Sequence, residues 1–291
     1  MMISLFTISL LLGASATPLS SKQHTATALK APVGADKAND VHDWSEGWNP
    51  TFPIHQSCNS TLRTQLQQGL DETIQLAQHA RDHLLRWGNE SEFKRRYFGK
   101  GPTAVPIGWY DRIISANKED MLFRCDDPDG VCKSMPSWAG HWRGENATAE
   151  TVICPLSFAE RRPLSSVCNL GYTVATSKRN IYWAMDLMHR VLHVPTISEE
   201  LVEHHTEDYA GVIKLAKQEP SKSGYDSNTL QYFAMDVWAY ERAAPGVGCT
   251  GRTPKAKPTS IPSPVSTPVP SPIKTAASEC HTHADGVVHC T

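Results

Sequence analysis

The sequence predicts a mainly helical α+β domain, stapled by disulfides and flanked by segments that build no core of their own. Three observations predict it. Four stretches carry helical apolar periodicity or helix start and stop residues; the region between the first two is punctuated by Gly, Pro and Cys; and composition shifts abruptly at both ends of the domain.

The elements follow in chain order. Residues 1–16 read as a secretory signal peptide, because the apolar run Ile3 to Leu12 is too short to cross a bilayer and Ala14-Ser15-Ala16 is a small-x-small cleavage pattern. Residues 17–43, rich in Ser, Thr, Ala and Lys, have no periodicity that would bury a face and read as a flexible segment. Residues 44–249 hold all eight Trp and six of the eight Cys, which marks the globular domain. Its first helix opens at Asn59-Ser60-Thr61, spaces Leu62, Leu66, Leu70, Ile74, Ala77 and Leu84 along one face, and ends near Trp87-Gly88. A second helix is expected over about 180–193, stopped by Pro195. A third starts at Ser198 as N-cap, with Glu199 and Glu200 in its first turn, and runs to about Gln218; a fourth covers roughly 227–242. Short strands are expected at Val152 to Cys154 and Tyr172 to Ala175, and the Asp-Pro-Asp-Gly run between Cys125 and Cys132 reads as a disulfide-closed turn. Residues 250–279 are a Pro/Ser/Thr-rich linker, stiff and extended at roughly 3.1 Å per residue. Residues 280–291 close the chain with CHTHADGVVHC and a final Thr.

Composition excludes several functions. With 40% hydrophobic residues among 291 the chain can bury a sizeable core, and a net charge of -2 leaves no field for nucleic acid or an anionic membrane surface. No transmembrane segment and no lipid-anchor signal are expected. An even number of Cys, with N-glycosylation sequons at Asn59, Asn89 and Asn146, points to a secreted, extracellular protein, soluble or associated with a cell wall.

The residues able to do chemistry are mostly His. His189 and His193 stand one helical turn apart, as in the HExxH pattern of zinc peptidases, but Arg190 occupies the place of the Glu that takes a proton from zinc-bound water. A guanidinium cannot accept that proton. A third ligand is open between His204, Glu207 and Asp208, against the plainer reading of a solvated acidic helix edge. His79 and His83 repeat the four-residue spacing on the first helix, where a solvent-facing flank is the plainer reading. The tail concentrates Cys280, His281, His283, His289 and Cys290, donors that zinc or copper prefers, with a Cys280 to Cys290 disulfide as the competing reading. Lys94, Arg95, Arg96 and Lys100 with Tyr97 and Phe98 make a basic-aromatic patch suited to acidic glycans or a partner protein.

The segments WGNESEF, KRRYFGK, LFRCDDPDGVC, WAGHWRG, WAMDLMHRVLHVP, QYFAMDVWAY and CHTHADGVVHC together resemble the fungal pH-regulated antigen and major-allergen family, over about Trp48 to Cys249 and the last dozen residues. The resemblance implies a fold related to the deuterolysin (aspzincin) zinc peptidases and a role as a secreted zinc scavenger, or zincophore, that is also a surface antigen binding host complement regulators and plasminogen. Position by position it implies Zn2+ ligands at the HRxxH pair His189 and His193, the HARxH pair His79 and His83, and the tail residues Cys280, His281, His283, His289 and Cys290. It also implies His204, with Glu207 where the family has Asp. Arg190, and the lack of a counterpart near Asn228 to the deuterolysin ligand Asp, argue against proteolysis. The function expected is capture of extracellular Zn2+ for uptake, the tail handing the ion to a plasma-membrane zinc transporter. The alternatives are an active zinc metallopeptidase using Asp186 or Glu203 as base, and an adhesion or immune-evasion protein.

Overall fold

The computed structural model describes residues 45–251 and the strand residues 280–282 and 288–290, all within one compact unit, Ser45–Thr291. The expected signal peptide, the N-terminal segment, residues 252–279 of the linker and His283 lie outside the described residues.

The first helix, α1 (Ser60–Trp87), begins where Asn59 Oδ1 accepts from the Leu62 N–H at 3.0 Å and ends at Gly88 with φ 49°. That cap satisfies one of the donors every helix start leaves open. Two helices follow that periodicity did not reveal, α2 (Glu92–Phe98) and α3 (Ala104–Ser115). Then come β1 (Leu122–Arg124), α4 (Val131–Ser134), β2 (Gly140–Trp142), β3 (Glu150–Ile153) and α5 (Pro155–Glu160). In the small sheet β3 is central, parallel to β1 and antiparallel to β2. The second half holds α6 (Trp183–Val191), α7 (Pro195–Ser198), α8 (Tyr209–Gln218), α9 (Pro220–Ser223) and α10 (Ser227–Trp238), which continues into a π-helical turn over Ala239–Ala243. In the tail, β4 (Cys280–Thr282) and β5 (Val288–Cys290) pair antiparallel, with Cys280 opposite Cys290 and His281 opposite His289.

The fold is a mainly helical α+β domain with α1 packed on α3, α6 and α10. Every residue of α6 is buried, as is every residue of α10 from Ser227 to Val237. Helices enclosed on all sides need close neighbours, and Gly69 supplies one: a Cβ there would fall 2.9 Å from Leu187 Cδ1 and 3.0 Å from Trp183 Cβ. No helix among the described residues is long and apolar enough to cross a membrane.

Several expectations are corrected. The third helix begins at Tyr209, not after Ser198, because Glu199 and Glu200 take left-handed backbone (φ 52° and 60°) and Asp208 is the cap, accepting from the Gly211 N–H at 2.7 Å. Tyr172 to Ala175 is turn and loop, entered through positive φ at Cys168 and Leu170. The disulfides join Cys58 to Cys125, Cys132 to Cys154 and Cys168 to Cys249, so no bond closes the turn between Cys125 and Cys132. That turn is held by Asp127, which accepts from the backbone N–H groups of Cys132 and Lys133. The basic patch is largely consumed by the fold: Lys94 is buried and donates to the Gly99 carbonyl, Arg95 donates to the carbonyls of Asn89 and Glu90, and Arg96 pairs with buried Asp236.

Candidate metal centre

His189 projects from the last turn of α6 and is 2% exposed, while His193 follows just past the helix end at Leu192. Residues four apart on a helix share a face, and these two Nε2 atoms lie 3.2 Å apart. His204 comes from the loop before α8 and brings its Nε2 to 3.1 Å from that of His193. One nitrogen from each ring falls within 4.8 Å of the other two. Tetrahedral Zn–N bonds of about 2.0–2.1 Å place neighbouring nitrogens about 3.3 Å apart, so the three rings converge at the spacing one ion requires.

The loop bearing His204 hangs on Asp226, the buried N-cap of α10. Its carboxylate accepts from the N–H groups of His205 and Thr206 at 2.8 and 3.1 Å, from the Thr206 hydroxyl at 2.8 Å, and from Thr229 at the start of α10. The Glu203 N–H donates to the Tyr225 carbonyl, the Ser227 N–H donates to the Glu203 carbonyl, and Asn228 Nδ2 donates to the Thr206 carbonyl. On the far side of His189, Nδ1 lies 2.8 Å from the Gln231 amide and 3.4 Å from Ser227 Oγ. Metal-bound imidazoles ordinarily have their second nitrogen anchored in this way. Asp226 carried a signal in the sequence as a polar residue opening a helix; Gln231 carried none.

Arg190 points elsewhere. Its guanidinium makes two bonds to Asp186, at 3.1 and 3.0 Å, and Arg161 approaches the same carboxylate at 3.2 Å. Burial pushes the Asp186 carboxyl up, but the two guanidinium charges outweigh it and hold the group below the ordinary carboxylate range. Gly140 makes room for this arrangement, since a Cβ there would lie 2.8 Å from Arg190 Nη1. Asp186, proposed from the sequence as an alternative base, is thus sealed in the core with two cations. Glu203, the other alternative, has an exposed carboxylate 3.7 Å from His205.

Other expected ligands lie apart from this group. Glu207 is exposed, and its carbonyl accepts from Arg179, because the chain has turned toward α8 once past Thr206. His79 and His83 are not a solvent flank: a ring nitrogen of each meets the carboxylate of Glu241, at 2.9 and 2.7 Å, and His83 Nε2 meets Ser91 Oγ at 2.7 Å. Burial lowers the His79 pKa, with the Glu241 charge opposing it. Asn59, Asn89 and Asn146 are all exposed.

A family profile described as "HRXXH: Putative peptidase family" matches residues 3–252. The chain is 45% identical to "Major allergen Asp f 2" of Aspergillus fumigatus over 91% of this chain and 94% of that protein. It is 44% identical to "pH-regulated antigen PRA1" of Candida albicans over 78% and 77%. Among solved structures, a zinc peptidase from Grifola frondosa matches 62% of this chain and 97% of its own, at 12% identity and a TM-score of 0.46.

Proposed function

The chain belongs to the HRXXH family, and from that premise we propose that it is a secreted protein that captures Zn2+ outside the cell for uptake, holding the ion through His189, His193 and His204. The carrying observation is the convergence of three imidazole nitrogens beside a position where the catalytic Glu is replaced by a core-facing Arg. When bound, the zinc would keep a fourth position open, as three-ligand zinc sites do. Binding and release are what such a site does without a base. Cys280, His281, His289 and Cys290, opposed across the tail hairpin, together with His283, form a second capture site in this reading, and His79, His83 and Glu241 offer two imidazoles and a carboxylate as a third. A plasma-membrane zinc transporter is the proposed recipient, and complement regulators and plasminogen the proposed host partners.

The test is calorimetric zinc titration of the full chain, of a His189→Ala/His193→Ala variant and of a chain lacking residues 280–291. Stepwise loss of tight sites is expected; unchanged stoichiometry in both variants would overturn the assignment. Affinity of the core site should fall as pH drops through about 6.5, where free imidazole gains a proton. Equal affinity at pH 5 and pH 7.5 would exclude imidazole ligation. The family description favours a second reading, peptidase activity, which predicts chelator-sensitive cleavage of casein by the zinc-loaded protein.

A further inference from the structure

His141 stands on β2 beside a disulfide. It is 3% exposed, yet neither ring nitrogen makes a well-formed hydrogen bond; Asp129 Oδ2 stands 3.5 Å from Nε2, and the charges of Arg190 and Asp127 also reach the ring. Buried polar groups are nearly always hydrogen-bonded, and here the Nδ1 end loses solvation without a partner while the Nε2 end has only a long contact to Asp129. What it does face is sulfur. One ring nitrogen and the Sγ atoms of Cys132 and Cys154 all lie within 4.8 Å of one another. In the structure those sulfurs form the Cys132–Cys154 disulfide, which has no thiolate to offer an ion.

We propose that opening this disulfide converts Cys132, Cys154 and His141 into a zinc site, one separate from the three-imidazole centre. The exchange balances: a dithiol gives two electrons and two protons to the disulfide, the S–S bond breaks, two thiols form, and the dithiol leaves as its own disulfide. Zn2+ then displaces both thiol protons and forms two Zn–S bonds and one Zn–N bond, with a fourth position for water. Two thiolates neutralise the ion, so the occupied site carries no net charge into a buried setting. Burial, opposed by the nearby Asp129, lowers the His141 pKa and keeps the ring neutral, the form that donates a lone pair. An approach exists, because His141 and Asp129 also line a pocket of about 440 Å³ walled by Met135, Trp138 and Trp142. The three donors come from α4, β2 and the start of α5, elements that β3 and the remaining packing hold in register. The consequence is a site that takes zinc only after its disulfide has been reduced, beside a three-imidazole centre whose donors include no sulfur.

The test uses the full chain with Cys280→Ser and Cys290→Ser, which removes the tail thiols, and Co2+ as the probe. The protein is reduced anaerobically with a phosphine, the phosphine is removed, and Co2+ is titrated with and without prior reduction. A near-ultraviolet thiolate-to-cobalt charge-transfer band should appear only after reduction, be lost in Cys132→Ser/Cys154→Ser, and require at least about tenfold more metal in His141→Gln. Absence of the band in reduced protein, its persistence in the double Cys variant, or an unchanged titration in His141→Gln would each overturn the proposal. Circular dichroism is read alongside: a reduced chain that loses its helical signal counts against the site, which needs the fold intact. If the double Cys variant does not fold, His141→Gln in the reduced protein decides the matter alone.

Discussion

His189 shows how one neighbour would set the chemistry of a proposed ligand. Nε2 turns toward the other two rings, so an ion there requires the proton on Nδ1 and an acceptor beyond it. Gln231 stands at that point with its Nε2 toward the ring and its Oε1 without a partner; half a turn of the amide, which leaves its shape unchanged, presents Oε1 instead. Gln231→Met should therefore weaken zinc binding about 10–100-fold while Gln231→Glu preserves or tightens it, and equal affinities by calorimetry would remove Gln231 from the site. Arg190 makes the opposite case, a residue beside the converging imidazoles in sequence and turned from them in space. Replacing it by Glu puts a second carboxylate against Asp186 and should cost about 3–5 kcal/mol in urea unfolding without creating casein cleavage. The depressed Asp186 pKa means its stabilisation is present above its unfolded value and is lost as pH falls through its lower folded value. Arg190→Gln raises that folded value, so the acid-unfolding midpoint should move to higher pH; an unmoved midpoint would mean Asp186 is not the group titrating.

Among the elements, the segment from Ser198 to Asp208 matters most, because it delivers the third imidazole. Arg112 braces its start, donating to the carbonyls of Thr196 and Ile197 and pairing with Glu199. Asp226 braces its end with bonds to His205 and Thr206. A helix through this stretch would have turned His204 to follow its own axis; a loop pinned at both ends carries it to the α6 pair instead. Asp226→Ala removes the α10 cap and leaves buried N–H donors unpaired. It should lower stability by about 2–4 kcal/mol and zinc affinity with it. A variant losing stability but keeping affinity would show that His204 is held by something else.

At the scale of the molecule, disulfides tie distant parts of a domain whose centre is helical. Cys58–Cys125 and Cys168–Cys249 close loops of 67 and 81 residues, the first fastening the start of α1 to the end of β1 and the second fastening the loop before α6 to the chain beyond α10. Replacing Cys58 and Cys125 by Ala should lower unfolding free energy by about 2–5 kcal/mol through the freer unfolded chain. Zinc stoichiometry measured well below that variant's transition should stay unchanged, since neither sulfur is among the converging donors.

Much of this was legible along the chain, because it depends on neighbours within a turn or two. The caps and apolar spacing of α1, the stop before Pro195 and the shared face of His189 and His193 all follow from helical geometry over a few residues. Short helices such as α2, and the partners of each Cys, were not legible, since six Cys allow 15 pairings and a seven-residue helix shows little periodicity. Nor was the placing of His204, rather than Glu207, beside the α6 pair, or the turning inward of Arg96 and Arg190. Those outcomes rest on contacts with Asp226, Asp236 and Asp186, and two of those carboxylates lie twenty or more residues from the groups they hold. Local spacing says which side chains share a face; only the packed chain brings a loop imidazole, a helix pair and a distant carboxylate to one point.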